Sequence, residues 1–356
     1  MARSSRAGES VLARLRASAR SLWVWFWHTP VRAERLAFMR ILLGLALITD
    51  QLFQLLPNFD EFFGPGGVAP AGLHDRYQLR HWRWTMLFFN TDDPHVLYPA
   101  FALWVLATAL LLVGWRTRLM NVVVWLLTMC WVNRNPNILN GGDDTMQVAL
   151  FLLMLSPSGK ALSLDSWLRR RRAPGPPGPG YTVAWPVRVI QIQLCLIYLS
   201  TGLVKLKGEG PGPFKGTWWD GTSIHYVFNY LIMSRRSYVQ WPGPLPFWVT
   251  APMTYLSVWW EVLFTPLVTN RWTRKWTLWF GVLFHLGIWL TIEVGWFTFY
   301  TWVFYAVWVP DSFWKRLDDW RARRSRAGAA AAPVAATAEV AAPAVQVETS
   351  FSDAKR

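Results

Sequence analysis

Long apolar stretches with almost no charge alternate with shorter polar or Pro/Gly-rich segments along this chain of 356 residues. A helix of about 20 such residues crosses a hydrocarbon core of roughly 30 Å. The pattern therefore predicts an all-α integral membrane protein, a bundle of about eight transmembrane helices. The predicted spans are residues 36–56, 95–114, 119–134, 144–156, 187–207, 246–268, 275–292 and 294–310.

The third and fourth predicted spans are joined by the polar stretch NRNPNILNGGDD, and residues 144–156 are short for a complete span. Non-helical backbone at membrane depth must be covered by protein or line a wet cavity. An alternative therefore stays open, in which these two segments form one broken pair.

Two further segments are predicted to lie along the membrane surface. Residues 1–35 are basic and then aromatic, and their apolar core LWVWFW is too short for a signal peptide and lacks a small-residue cleavage site. They favour an interfacial helix. The loop 208–245 has apolar residues at helical spacing, which predict an interfacial helix on the outer side: Ile224, Val227, Phe228 and Leu231.

Composition divides the chain into three parts. Residues 1–35 form the basic and aromatic N-terminal segment, and residues 36–310 form the membrane domain. Within it, the Pro/Gly run at 171–181 cannot be helical and predicts a cytoplasmic linker. Residues 311–356 are predicted to be a cytoplasmic basic segment with a disordered Ala/Pro-rich tail.

The net charge of +15 raises the question of a nucleic-acid partner. With the N-terminus inside, however, the inner segments hold 24 Lys and Arg and the outer segments hold 7. This asymmetry is the positive-inside rule, and it places both termini in the cytoplasm. We therefore expect these positive charges to contact the lipid bilayer, and we expect no nucleic-acid partner.

A charged residue inside a span is costly and usually finds a partner or a wet cavity. Lys205 and Asp50 lie at similar depth in the outer halves of the fifth and first predicted spans. Three interpretations of Lys205 stay open: an ion pair with Asp50, snorkelling to headgroups, or chemistry. A lysine in a low-dielectric pocket loses its proton more readily and becomes a general base or Schiff-base nucleophile. Lys205 is thus the candidate catalytic residue, with Asp50 and Asp143 as candidates to orient it.

Glu261 and His285 fall at comparable depths in the sixth and seventh predicted spans. The expected arrangement is a buried, hydrogen-bonded Glu261–His285 pair that locks helix packing, with a proton relay as the alternative.

Two acidic motifs lie on the predicted outer side. Asp143 and Asp144 begin the fourth span, where carboxylates cap free amides, and Asp220 or Thr222 in WWDGTS would cap the following helix. The alternative role for these residues is to line a substrate mouth. We expect an outer-facing cavity bounded by the first, fourth and fifth spans.

Motifs for metals and nucleotides are missing from the sequence. The two cysteines, Cys130 and Cys195, lie inside predicted spans, and no CxxC, HExxH, GxGxxG or P-loop is present. We therefore expect no metal site.

Four stretches together resemble the horizontally transferred transmembrane (HTTM) domain family, whose best-known relative is the vitamin K-dependent gamma-glutamyl carboxylase. They are ERLAFMRILLGLALITD, NRNPNILNGGDDTMQVALFLLMLSPSGKALSLDSW, IQIQLCLIYLSTGLVKL with WWDGTS, and FHLGIWLTIEVGWFTFYTWVFYAVWVP. The resemblance covers about residues 34–310.

In that carboxylase, a lysine shortly after a Tyr-x-x-x-Gly stretch is the base that deprotonates reduced vitamin K. YLSTGLVKL resembles this stretch and places Lys205 on the lysine position. The resemblance implies a reduced quinone arriving from the bilayer and a secreted peptide arriving from outside.

The sequence also departs from the carboxylase. The histidine that supports the catalytic lysine corresponds to Lys160 in GKALSLDS, and a second cation cannot take the part of an imidazole. The residues after about 326 do not resemble the carboxylase's large extracytoplasmic domain. We therefore do not expect glutamate carboxylation itself.

Two classes of function follow from these observations. The first is a lysine-dependent enzyme that acts on a quinol or a secreted peptide at the outer face of a cell membrane, of the bacterial inner-membrane type. The second is a non-enzymatic membrane factor that helps mature or export a secreted product, or a scaffold. Transport is disfavoured because no inverted repeat is evident.

Overall fold

The computed structural model describes residues 2–68, 70, 91–173, 180–208, 216–229, 234–235 and 245–331. The centre of the predicted linker 171–181, most of the loop 57–94, parts of the loop 208–245 and the tail beyond 331 lie outside the described residues. The chain forms two compact units, 1–309 and 310–356.

The described residues are mostly helical. The helices of the first unit are α1 (Ala2–Trp27), α2 (Glu34–Asp50, continued by a π-helical turn, Gln51–Leu55), α3 (Phe59–Phe63), α4 (Pro94–Val113), α5 (Thr117–Arg134), α6 (Gly141–Met154), α7 (Leu164–Arg172), α8 (Trp185–Leu206), α9 (Ser223–Asn229), α10 (Phe247–Thr269), α11 (Arg274–Thr291) and α12 (Phe297–Val303, continued by a 3₁₀ helix, Phe304–Trp308). A 3₁₀ turn, Pro136–Ile138, joins α5 to α6. The second unit contains α13 (Asp311–Ala331).

Each of the eight predicted spans coincides with a helix of the first unit. Among the described residues, three helical segments are long and apolar enough to cross a membrane by themselves: Glu34–Leu55, Pro94–Val113 and Trp185–Leu206. The others are shorter or more polar. Helix α6, for example, has 14 residues, about 21 Å at 1.5 Å per residue.

A two-stranded antiparallel ladder fastens two of these three segments together. Strands β1 (Val31–Arg32) and β2 (Tyr181–Thr182) immediately precede α2 and α8. Both helices therefore start at the same end of the bundle. Asp50, the last residue of α2, and Lys205, near the C-terminal end of α8, lie away from this ladder.

The core is built around α2, which packs against α4, α6, α12 and the following 3₁₀ helix. Leu36, Met39 and Leu43 on α2 are fully buried, as their spacing of three and four residues requires. Gly44 allows the close contact with α4, because a Cβ at this position would lie 3.1 Å from Cβ of Leu112.

The outer surface of the first unit carries many large apolar side chains. Trp248 is 77% exposed, Phe53 71% and Trp276 70%. A protein surrounded by water rarely exposes so much apolar surface. The surface is that of a membrane-associated protein. Helix α1 has the same character, since Leu22 and Trp23 on it are exposed.

Candidate functional site

Lys205, at the end of α8, forms an ion pair with Glu261 in the middle of α10. Its Nζ atom lies 2.5 Å from Oε1 and 2.6 Å from Oε2 of Glu261. The Lys205 side chain is 19% exposed and that of Glu261 is 7% exposed. One lysine thus contacts both oxygens of a nearly buried carboxylate.

The YLSTGLVKL motif explains how this pair forms. Tyr198, Gly202 and Lys205 are spaced by four and three residues, so they share one face of α8. A Cβ on Gly202 would lie 2.8 Å from Cγ2 and 3.0 Å from the backbone nitrogen of Val262. Only glycine lets α10 come this close, and that approach brings Glu261 to Lys205.

Trp218 covers another side of the ammonium. Its ring centroid lies 4.7 Å from Nζ of Lys205, a cation–π contact. A charged lysine has three N–H donors, and Glu261 offers the two hydrogen-bond acceptors found for Lys205 among the described residues. The described contacts of the Lys205 ammonium are thus the Glu261 carboxylate and the Trp218 ring.

A second polar group lies deeper along the same face of α8. The Tyr198 hydroxyl lies 2.8 Å from Nε2 of His285 and 2.6 Å from the Tyr305 hydroxyl. Gly281 on α11 provides the space, because a Cβ there would overlap the Tyr305 hydroxyl. The backbone oxygen of His285 accepts a hydrogen bond from Thr298 at 2.8 Å.

The two groups influence one another electrostatically, Lys205 acting on His285 and Glu261 on Tyr198. We name these residues the lysine cluster: Lys205, Glu261, Tyr198, His285 and Tyr305. The cluster therefore combines an ion pair with a hydrogen-bonded group of two tyrosine hydroxyls and one imidazole.

Asp50 lies in a separate polar cavity. Its Oδ2 accepts a hydrogen bond of 2.5 Å from the Tyr300 hydroxyl, whereas its buried Oδ1 has no hydrogen-bond partner among the described residues. The cavity measures about 30 Å³ and is also lined by Gln54, Asn140 and Asp143. It is large enough for a water molecule and offers it several polar partners.

Of the acidic motifs on the predicted outer side, the one at Asp143 caps a helix and the one at Asp220 forms a turn. Asp143 accepts a hydrogen bond of 2.7 Å from the Asn140 amide, and Asn140 caps α6 in return. Asp144 is exposed in the first turn of α6. Asp220 accepts hydrogen bonds from the amide and hydroxyl of Thr222, immediately before α9.

Outside the apolar helices, Asp165 caps the start of α5. It accepts hydrogen bonds from the backbone amides of Arg116 and Thr117 and from the Thr117 hydroxyl, at 2.7 to 2.9 Å. Burial acts to raise the pKa of Asp165, but these hydrogen bonds outweigh it and hold the pKa below its usual range.

The structure corrects three expectations about partners. Lys205 pairs with Glu261 and not with Asp50. The expected Glu261–His285 pair is replaced by separate contacts, Glu261 with Lys205 and His285 with Tyr198. Asp50 and Asp143 do share a cavity, but Lys205 does not line it, so they do not orient Lys205.

The boundary of that cavity also differs from the expectation. The first and fourth predicted spans line it, but the fifth does not, and residues of α4, α5 and α12 complete the wall.

Lys160 lies at the opposite end of the molecule from the lysine cluster. Its backbone oxygen is 4.0 Å from the position of a Cβ on Gly180, next to the β1–β2 ladder. The 22 residues of α8, about 33 Å at 1.5 Å each, separate this ladder from Lys205.

Four residues that contact the candidate site residues were not predicted from the sequence: Tyr198, Tyr305, Tyr300 and Trp218. A tyrosine in an apolar span is normally interpreted as a packing residue. Its buried hydroxyl needs a hydrogen-bond partner, and only this need indicates a polar group nearby. Tyr198 was within the quoted motif, and its spacing from Lys205 was the available signal.

No group of three or more His, Cys, Asp or Glu among the described residues could hold a metal ion. Both cysteines are free thiols.

No family model, curated protein or solved structure matches this chain.

Proposed function

We propose that this chain is a multi-pass membrane enzyme in which Lys205, backed by Glu261, accepts a proton from a lipid-soluble quinol at the outer face. The observation that carries the proposal is the short Lys205–Glu261 pair at the C-terminal end of an apolar helix. The resemblance of YLSTGLVKL to the carboxylase motif supports the same assignment.

In the proposed topology all eight helices cross the membrane as a bundle and both termini lie in the cytoplasm. Two features support it: the exposed apolar side chains around the first unit, and the excess of Lys and Arg in the segments assigned to the cytoplasm. Lys205 then lies at the outer side, where a quinol from the bilayer and a secreted peptide can both reach it.

The proposed step begins within the ion pair. The Lys205 ammonium gives a proton to Glu261, and the neutral amine accepts the proton of a quinol hydroxyl. The quinolate then reacts with molecular oxygen, and quinol plus oxygen become quinone epoxide plus water.

The rest of the lysine cluster has a positioning role in this proposal. Tyr198 lies on the same face of α8 as Lys205 and is held by His285 and Tyr305. These bonds fix the rotamer of Tyr198 and the packing of α8 against α10 and α11, and this keeps the lysine in place.

The test uses purified protein in lipid nanodiscs with a reduced naphthoquinone, oxygen and a glutamate-rich peptide. Quinone epoxide is measured by mass spectrometry for wild type, Lys205→Ala and Glu261→Gln. The matched control is Lys207→Ala, an exposed lysine two residues further along. We expect epoxide from the wild type and the control, and a loss of about a hundredfold in both cluster variants.

Two results would overturn the proposal. Epoxide formed equally by Lys205→Ala would show that the lysine is not the base. The second result is that folded wild-type protein forms no epoxide when it is supplied with reduced menaquinone, reduced ubiquinone or a reduced naphthoquinone. That result would favour the second class of function, a non-enzymatic factor for maturation or export.

A further inference from the structure

A cavity of about 380 Å³ lies between α8, α10 and α11, with Trp25 of α1 at its edge. Its volume is within the range of small-molecule sites. Arg188 and Arg274 contribute to one end, and Ile192, Leu196 and Leu199 form an apolar wall along α8. We name it the arginine groove.

The charged end of the groove lacks negative charge. No Asp or Glu lines the groove, and neither Arg188 nor Arg274 has a carboxylate partner among the described residues. Arg274 donates to the carbonyls of Val268 and Thr269 at 2.9 and 3.1 Å. Uncharged carbonyls stabilise a guanidinium less than an anion does.

Arg188 shows the imbalance most clearly. It donates to Gln191 at 3.1 Å and stacks 4.2 Å from the Trp25 ring centroid, but its buried Nε has no hydrogen-bond partner in the part of the chain that the structure describes. Arg35 and Arg274 both repel it electrostatically. The first turns of α8 and α11 contain no acidic residue, so the helix dipoles add further positive potential.

The other end of the groove is suited to hydrocarbon. Ile192 and Leu196 are 48% and 51% exposed and lie one helical turn apart on α8, a helix apolar enough to cross a membrane. An amphiphile whose anion contacts the arginines could therefore lay its chain along these residues. Arg188 is also near the β1–β2 ladder, which is the cytoplasmic end in the proposed topology.

We infer that the arginine groove binds one anionic phospholipid of the cytoplasmic leaflet, with its phosphate between Arg188 and Arg274 and an acyl chain along Ile192, Leu196 and Leu199. Basic pockets between membrane helices on this side suit such headgroups. The lipid neutralises the mutual repulsion of the arginines and fills the space between α8, α10 and α11.

Native mass spectrometry of the full chain tests this inference with added phosphatidylglycerol or phosphatidylcholine. We expect one phosphatidylglycerol to remain bound, with an affinity at least about fivefold above that of phosphatidylcholine, the effect of one basic residue at a membrane surface. Arg188→Gln and Arg274→Gln should each remove most of this preference. Arg271→Gln is the matched control, because Arg271 is exposed and lies just before α11. This variant should retain the preference for phosphatidylglycerol.

A second readout works on the wild type alone. Cys195 lines the groove, whereas Cys130 is buried elsewhere. Maleimide labelling of Cys195 should be slower in phosphatidylglycerol nanodiscs than in phosphatidylcholine nanodiscs.

Leu196→Trp, at an exposed position, should weaken lipid retention by occupying the path of the acyl chain.

Three outcomes would overturn the inference. They are equal retention of the two lipids by wild type, unchanged preference in both arginine variants, and full displacement of phosphatidylglycerol by glycerol phosphate at equal concentration. The last result would show that the groove recognises a free phosphate and not a lipid.

Discussion

Nζ of Lys205 lies 2.5 Å and 2.6 Å from the two carboxylate oxygens of Glu261, a residue 56 positions away in sequence. The contact joins α8 to α10, the pair of helices with the most extensive packing in the described chain. Because the carboxylate is nearly buried, the two charges depend on each other for stability.

Removing the lysine should therefore destabilise the protein more than removing both charges. We expect Lys205→Met to lower the free energy of unfolding by about 3 kcal/mol, because Glu261 is left without its counter-ion. The double variant Lys205→Met/Glu261→Gln should recover most of this loss. Thermal unfolding in detergent measures both, and equal losses in the single and double variants would contradict a coupled pair.

The close approach at Gly202 gives a second prediction. Gly202→Ala places a Cβ against Val262 and should destabilise by about 1–3 kcal/mol through overpacking, while disturbing the Lys205–Glu261 contact. Gly287→Ala is the matched control, since a Cβ there meets nothing within 4 Å. The control should stabilise α11 by about 0.5–1 kcal/mol. Similar unfolding temperatures for the two variants would refute the packing argument.

The buried Asp50–Tyr300 bond gives a third prediction. Tyr300→Phe removes the hydrogen-bond donor found for the Asp50 carboxylate among the described residues and should cost about 1–3 kcal/mol. In an Asp50→Leu background the same change should cost much less, because no buried acceptor remains. Tyr226→Phe, at an exposed position, serves as the control. The measurement is again detergent unfolding, and an undiminished cost in the Asp50→Leu background would argue against the bond.

Asp165 gives a prediction about pH. Its pKa is lowered in the folded protein by hydrogen bonds that cap α5, and these outweigh its partial burial. A lowered folded pKa contributes stability that is present above the unfolded value of about 3.9 and is lost as pH falls through the folded pKa. Asp165→Asn should lower the free energy of unfolding by about 1 kcal/mol at neutral pH.

The pH profile separates this effect from a general structural change. The difference between wild type and Asp165→Asn should stay constant from about pH 8 to pH 5 and shrink below about pH 4. A difference that persists unchanged to the lowest accessible pH would contradict the assignment.

The proposed orientation predicts which residues can be labelled from each side of the membrane. In a Cys130→Ala/Cys195→Ala background, Trp219→Cys should react with an impermeant maleimide added outside intact cells. Arg172→Cys should react only after permeabilisation. Both positions are exposed, so access is limited by the membrane alone. The reverse pattern would invert the orientation.

The sequence by itself predicted the positions of the long helices, because apolar periodicity and helix capping act over a few residues. All eight predicted spans coincide with helices, and the capping role of Asp143 and the turn at Asp220 followed from the same local rules. It also identified Lys205, Glu261 and His285 as polar residues in apolar surroundings.

Only the tertiary structure decided which of these residues meet. Depth along a helix is a local property, but the choice between Asp50 and Glu261 as the partner of Lys205 depends on which helix lies beside α8. Gly202 determines that choice by admitting α10, and Gly281 likewise admits the Tyr305 hydroxyl beside Tyr198. Such contacts join residues far apart in sequence, and no pattern within a single helix specifies them.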